Sequence, residues 1–229
     1  AHTPQWNRGA YLVQGLGHCA ACHAPRNLLG ATRDANALRG GVIPLQHWYA
    51  PSLADTQEAG IRADDVAQTV QLLKTGIAAG RSAMGPMAEV VVRSTQHLTD
   101  DDLQAMAVYL TSLAAASPPA PVSRAADRPA PSATGEKIYT RHCAQCHGEQ
   151  GEGAAGAYAP LAGNRAVTMG HSANLVQAVL SGGFPPATAD NPRPYGMPPF
   201  RQTLDDGEVA EVLTYIRQAW GNAAPAVSV

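Results

Sequence analysis

Two stretches of the chain carry apolar residues at three- and four-residue spacing directly after an acidic run. Leu98-Thr99-Asp100-Asp101-Asp102-Leu103 leads to Met106, Leu110 and Leu113, and Leu204-Asp205-Asp206-Gly207 leads to Val209, Val212, Leu213 and Ile216. Both read as amphipathic helices with an acidic first turn. Two more helical patterns run over 64–73 and 172–180, each stopping near a glycine, Gly76 and Gly182, which suits a left-handed helix end. Arg8-Gly9-Ala10-Tyr11-Leu12-Val13 and Thr134-Gly135-Glu136-Lys137-Ile138-Tyr139 each predict a helix near the start of a unit. The order is thus given twice, and no strand pattern of comparable length competes with it. The fold class expected is all-α.

Between the two copies, Ala114-Ala115-Ala116-Ser117-Pro118-Pro119-Ala120-Pro121 opens a stretch poor in large apolar residues that runs to about Ser132. Such a Pro/Ala/Ser segment builds no core and favours extended conformations. The expected organisation is a first domain at 1–116, a linker at 117–132 and a second domain at 133–229, each domain within the size of an independent folding unit. Only two phenylalanines and three tryptophans are present, so a large apolar cofactor is expected to supply core surface that the side chains lack, and folding is expected to be coupled to its attachment.

The cysteines identify that cofactor. All four fall in Cys19-Ala20-Ala21-Cys22-His23 and Cys143-Ala144-Gln145-Cys146-His147, the first cysteines of the two lying 124 positions apart. Two thiols three positions apart on a helical turn can each form a thioether to one vinyl group of a single porphyrin, and the adjacent histidine then lies under the iron. A redox dithiol, half a zinc site or a structural disulfide would leave the histidine at the same place twice unexplained. Two covalently bound haem c groups are expected, with His23 and His147 as metal ligands, which makes the chain an electron carrier.

Methionine thioether is the usual sixth ligand of a low-spin haem c. In the second domain Met197 stands in Tyr195-Gly196-Met197-Pro198-Pro199-Phe200, shortly before the last helix; Met169 reads as a loop or core residue. Ser82-Ala83-Met84-Gly85-Pro86-Met87 offers two choices in the first. Met87 lies 11 residues before Leu98 and Met197 lies 7 before Leu204, so Met87 matches better than Met84; His97, His47 or an open position also compete for this iron. Met106, within a helical apolar stripe, reads as core.

The remaining candidates carry plainer expectations. His2 lies near the terminus, and His18 and His142 each precede a haem cysteine, which suggests a packing or turn preference. His171 suits the start of a helix. Arg26 and Arg165 are expected to meet haem propionates or solvent carboxylates, and Asn27-Leu28-Leu29-Gly30 and Pro160-Leu161-Ala162-Gly163-Asn164 to line the pockets. Pro25 and Pro160 are the first candidates for carbonyls that accept the free N–H of each histidine. Arg81 and Phe184-Pro185-Pro186 read as solvent-facing loops that shape docking surfaces. A net charge of −2 lacks the basic excess of a nucleic-acid binder.

Arg8-Gly9-Ala10-Tyr11-Leu12, Cys19-Ala20-Ala21-Cys22-His23-Ala24-Pro25-Arg26, Gly85-Pro86-Met87-Ala88-Glu89-Val90-Val91 and Leu98-Thr99-Asp100-Asp101-Asp102-Leu103 resemble a haem domain of the cytochrome c subunits of membrane-associated bacterial alcohol, gluconate, sorbitol and aldehyde dehydrogenases. Cys143 to Gly148, Gly151-Glu152-Gly153 and Gly196 to Phe200 resemble the domain that follows it. The resemblance implies two class I cytochrome c-like domains with axial pairs His23/Met87 and His147/Met197. Covalent haem attachment implies a periplasmic location, with inner-membrane association through a partner or a missing segment; the resemblance implies a periplasmic or membrane-associated dehydrogenase as donor and a quinone-linked or oxidase acceptor. The family's subunits carry three haem domains; the match is to the second and third, which implies an absent first domain or a fragment. Nothing after Trp220 resembles an apolar span. The alternative is a dihaem redox enzyme such as a peroxidase or a thiosulfate-oxidising cytochrome, which requires an accessible iron position.

Overall fold

The computed structural model describes residues 2–78, 80–115 and 132–229. They form two helical units of like construction. In the first, α1 (Pro4–Ala10) runs into a π-helical stretch at Tyr11–Leu16, followed by α2 (Ala20–His23), α3 (Val66–Thr75), α4 (Pro86–Arg93) and α5 (Asp100–Ala115). The second has α6 (Ala133–His142), α7 (Ala144–His147), α8 (Arg165–Thr168), α9 (Ala173–Ser181) and α10 (Asp206–Gln218). The linker expected at 117–132 lies outside the described residues except for Ser132, whose side chain caps α6 by accepting from Gly135 N–H at 3.0 Å.

Among the described residues extended structure amounts to isolated bridges and two two-residue hairpins. Strand β1 (Gly41–Val42) pairs antiparallel with β2 (Tyr49–Ala50), and β3 (Ile77–Ala78) with β4 (Arg81–Ser82). The all-α expectation holds, with these hairpins bracing the loops.

Local chemistry sets the helix ends. Thr3 caps α1 and accepts from Trp6 N–H at 3.2 Å, with Pro4 at the first helical position, so the helix opens before the Arg8 read from the pattern. Thr99 Oγ1 accepts from Asp102 N–H at 3.2 Å at the start of α5. Asp205 forms a full capping box with Glu208 at the start of α10, satisfying two otherwise orphan donors. Gly76 closes α3 at φ +80°, as a left-handed cap should; Gly182 also has positive φ but ψ −152°, so α9 ends in a different turn.

In each unit the first and last helices cross at a glycine. A Cβ on Gly9 would lie 2.6 Å from the Ala105 carbonyl carbon and 2.8 Å from Tyr109 Cβ; one on Gly135 would lie 2.9 Å from the Glu211 carbonyl carbon and 2.8 Å from Tyr215 Cβ. The missing side chain lets the backbones touch. Around these crossings sit two apolar cores: Leu12, Val13, Leu38, Leu103, Met106 and Tyr109 in the first, and Tyr139, Val167, Leu204, Val212, Leu213 and Ile216 in the second. Met106 and Met169 are both buried, as expected.

Arg217 is 1% exposed yet charged. It donates to the carbonyls of Val167 (2.8 Å), Met169 (3.0 Å) and Pro225 (2.8 Å), so one guanidinium fastens the end of α8 and the C-terminal segment to α10. No helix among the described residues is long and apolar enough to cross a membrane.

Candidate functional site

Each Cys-x-x-Cys-His segment forms a single helical turn placed against its unit's core. His23 N–H bonds to the Cys19 carbonyl at 2.9 Å and His147 N–H to the Cys143 carbonyl at 3.0 Å, which sets both cysteines and the histidine on one short turn. The thiols are free in both motifs. Burial pushes the Cys19 and Cys143 thiols up to about 11, the opposite of the lowered value a redox dithiol needs. Among the described residues no group of three or more His, Cys, Asp or Glu could hold a metal ion by itself.

The imidazoles are oriented from behind. His23 Nδ1 lies 2.7 Å from the Pro51 carbonyl, and His147 Nδ1 lies 2.9 Å from the Ala159 carbonyl. Since a carbonyl only accepts, each Nδ1 carries the proton and each Nε2 keeps its lone pair for a metal. Burial lowers the pKa of both rings against the opposing pull of these carbonyls, so the neutral form is favoured.

Pro25 and Pro160 are therefore not the acceptors expected. The Pro25 carbonyl accepts from Arg33 N–H at 2.7 Å and that of Pro160 from Asn164 Nδ2 at 2.8 Å. A signal for the correct place was present: Tyr49-Ala50-Pro51 and Tyr158-Ala159-Pro160 repeat the same tripeptide, and each contains an acceptor. The acceptor follows its histidine by 28 positions in the first unit and 12 in the second, which hides the equivalence from any count of fixed offsets.

The candidate methionines converge on the same cores as the cysteines. Cys19 and Met87 both pack against the first core, and Cys143 and Met197 both pack against the second. Met84 faces elsewhere: its Cε lies 3.7 Å from the Cβ position of Gly183, in the other unit. Gly183 exchanges both backbone hydrogen bonds with Met197, at 2.8 and 2.9 Å, and so holds the loop that carries it.

Several plainer expectations change. Arg26 turns back on its own loop, donating to the Gly30 and Ala21 carbonyls, and Arg165 binds acceptors of the first unit, Thr56, Gly60 and Asp65. Leu28 and Leu29 are 106% and 94% exposed and line no protein interior. Leu161, by contrast, packs on the second core. Arg81 does not face solvent as a free loop residue but pairs with Asp65 at 2.8 Å. Of the Phe184-Pro185-Pro186 stretch, Phe184 is exposed while Pro186 is fully buried. His18 adopts a left-handed turn at φ +50°, whereas His142 ends α6 and meets Phe200 edge-on at 6.0 Å. His171 accepts from Ala173 N–H at 3.3 Å, at the start of α9 as expected.

The donor set fits covalent haem. Paired free thiols three residues apart, an adjacent neutral imidazole with Nε2 free, and a thioether on the same apolar core occur together in both units.

Comparison with known proteins agrees with this geometry. The family model for cytochrome c matches residues 7–114 and 132–220. The chain is 36% identical over 234 residues to the cytochrome c subunit of a quinone alcohol dehydrogenase from Gluconobacter oxydans (strain 621H), covering 97% of this chain and 49% of that protein. It is 35% identical over 238 residues to the gluconate 2-dehydrogenase cytochrome c subunit of Pantoea cypripedii, covering 97% and 54%. The fructose dehydrogenase cytochrome subunit of Gluconobacter japonicus is 32% identical over 252 residues, covering 99% and 51%. The chain spans about half the length of these relatives.

Proposed function

The chain belongs to the cytochrome c family, and from that premise we propose that it is a dihaem electron carrier serving a dehydrogenase. The observation that carries the reading is the duplicated juxtaposition of cysteine and methionine on one apolar core, with the neighbouring histidine's Nδ1 tied to a carbonyl. Cys19 and Cys22 would hold one haem c and Cys143 and Cys146 the other, in domains at 1–116 and 133–229. His23 with Met87 would ligate the first iron, and His147 with Met197 the second. Bound haem supplies a one-electron ferric/ferrous couple, and thioether ligation favours the reduced form.

The residues of the chain hold that couple rather than act on a substrate. The Pro51 and Ala159 carbonyls fix ring orientation and raise ligand basicity. Buried apolar side chains keep water from the iron and lower the local dielectric. Met87 and Met197 would supply a second ligand to each iron, which favours a carrier over the peroxidase-type alternative.

The names of the relatives support a dehydrogenase as the donor, which on this reading is periplasmic or membrane-associated. A quinone-linked or oxidase acceptor lies downstream. A periplasmic location follows from covalent haem attachment, with any hold on the inner membrane supplied by a partner. The substrate is set by the partner enzyme. The near-neutral charge gives no support for a nucleic-acid partner.

Spectroelectrochemical titration tests the reading. Two reversible low-spin centres, each with a thioether-to-iron charge-transfer band, are the expected result. A high-spin centre, or carbon monoxide binding to the reduced protein, would reveal an open iron and overturn it.

A further inference from the structure

Polar and apolar contacts join the two units along one seam. Arg165, the first residue of α8, sends its guanidinium into the first unit: Nη1 donates to the carbonyls of Thr56 at 3.1 Å and Gly60 at 2.9 Å, and Nη2 to Asp65 Oδ2 at 3.2 Å. The Asp65 side chain is 6% exposed, and its other oxygen is held by Arg81 at 2.8 Å. Beside this cluster, Asn174 accepts from Tyr49 N–H at 2.8 Å and donates to the Tyr49 carbonyl at 2.7 Å, so its amide imitates a neighbouring strand. The Tyr49 ring stacks on His171 at 4.2 Å and 3°. Further along, Thr188 Oγ1 donates to the Thr75 carbonyl at 3.1 Å, and Met84 rests by Gly183.

Domains on a tether move relative to one another by default unless their interface is large and apolar. This seam is different because one oxygen of a buried carboxylate and two loop carbonyls take a donor from one arginine of the other unit. Removing that arginine leaves buried acceptors without donors, a cost that an undocked arrangement escapes by hydrating them. The seam also brings together the loops bearing the two candidate axial methionines, through Met84, Gly183 and the Gly183–Met197 backbone pair.

We propose that Arg165 is a positioning residue that locks the two haem domains into one fixed relay, with the methionine loops abutting at Met84 and Gly183. The proposal deepens the electron-carrier reading and rests on it. Electrons then pass between the haems within one docked arrangement, without waiting for the domains to meet.

The test is Arg165→Gln in the dihaem protein, followed by flash reduction and observation of electron redistribution between the haems. Loss of the lock converts a fixed pair into a tethered encounter, so the interhaem rate should fall by roughly tenfold or more. The radius of gyration in solution scattering should rise, while both charge-transfer bands and both reduction potentials stay at wild-type values. Asn174→Ala weakens the same seam without baring a charge, and should change rate and radius in the same direction by less. Wild-type rates in both variants would overturn the proposal. Absence of His/Met spectra in the unmutated protein would instead sink the carrier reading, and the scattering comparison would still report on the lock.

Discussion

Gly9 lies with its bare α-carbon against the carbonyl of Ala105, so that α1 and α5 cross at backbone contact. A glycine inside a helix normally costs about 0.5–1 kcal/mol relative to alanine, and replacing it should stabilise. Here the sign reverses. Gly9→Ala drives a methyl into main chain that has no rotamer to yield, and overpacking of this kind costs about 1–3 kcal/mol. A lower midpoint in urea unfolding with an unchanged slope checks it, and Gly135→Ala should behave alike at the α6/α10 crossing.

Replacing Arg217 by methionine keeps much of the side chain's bulk but deprives the carbonyls of Val167, Met169 and Pro225 of their donor. Unsatisfied buried acceptors cost about 1–3 kcal/mol each where water cannot reach them. Destabilisation of about 3 kcal/mol is expected on that basis, with increased amide exchange over 222–229. A variant as stable as the parent would show that water replaces the guanidinium.

Met87→Ala should abolish the thioether-to-iron charge-transfer band of one haem, lower that centre's potential and open it to carbon monoxide. Met84→Ala should keep both bands, because its side chain lies toward Gly183 and away from the core that Cys19 and Met87 share. The reverse pattern would exchange the two assignments.

Asp65 gives a pH dependence with a definite sign. Burial works to raise its pKa, but Arg81, through hydrogen bond and charge, and then Arg165 and Arg62 outweigh burial, and the net shift is downward. The folded carboxyl thus releases its proton at lower pH than the unfolded one. Its stabilising share is complete above the ordinary carboxylate range and is lost as pH falls through the folded value. Unfolding midpoints measured from neutral to acid pH should show the parent losing this share and Asp65→Asn, which never had it, falling less steeply. Parallel curves would refute the coupling.

Local signals carried most of the fold. The acidic runs at the starts of α5 and α10 and the glycine after α3 act within a turn, so their neighbours in sequence are their partners in space. The Thr3-Pro4 start of α1 is equally local, although the apolar pattern itself begins only near Arg8. The attachment motifs are legible for the same reason, since thiol spacing and histidine adjacency are properties of one helical turn. What escapes depends on loop paths. Pro51 reaches His23 across 28 residues, and no periodicity encodes that distance. Arg165 reads as a partner for haem propionates or solvent carboxylates until the other unit is laid against it. Leu28 and Leu29 read as part of a segment lining the haem pocket, and in the turn pinned by Arg26 both side chains are exposed.

The π-helical stretch at Tyr11–Leu16 bears on how alike the two halves are. Ten positions separate the crossing glycine from the first cysteine in one half and eight in the other, and the wider coil together with the left-handed His18 takes up the difference. The halves are consequently not interchangeable parts. Grafting the segment from Cys143 to His147 in place of Cys19 to His23 would preserve the spacing, but grafting the whole lead-in from Gly135 to His142 in place of Gly9 to His18 would bring the porphyrin anchor two residues early and rotate it off its seat. Any chimera of this protein must carry its own lead-in coil with its anchor.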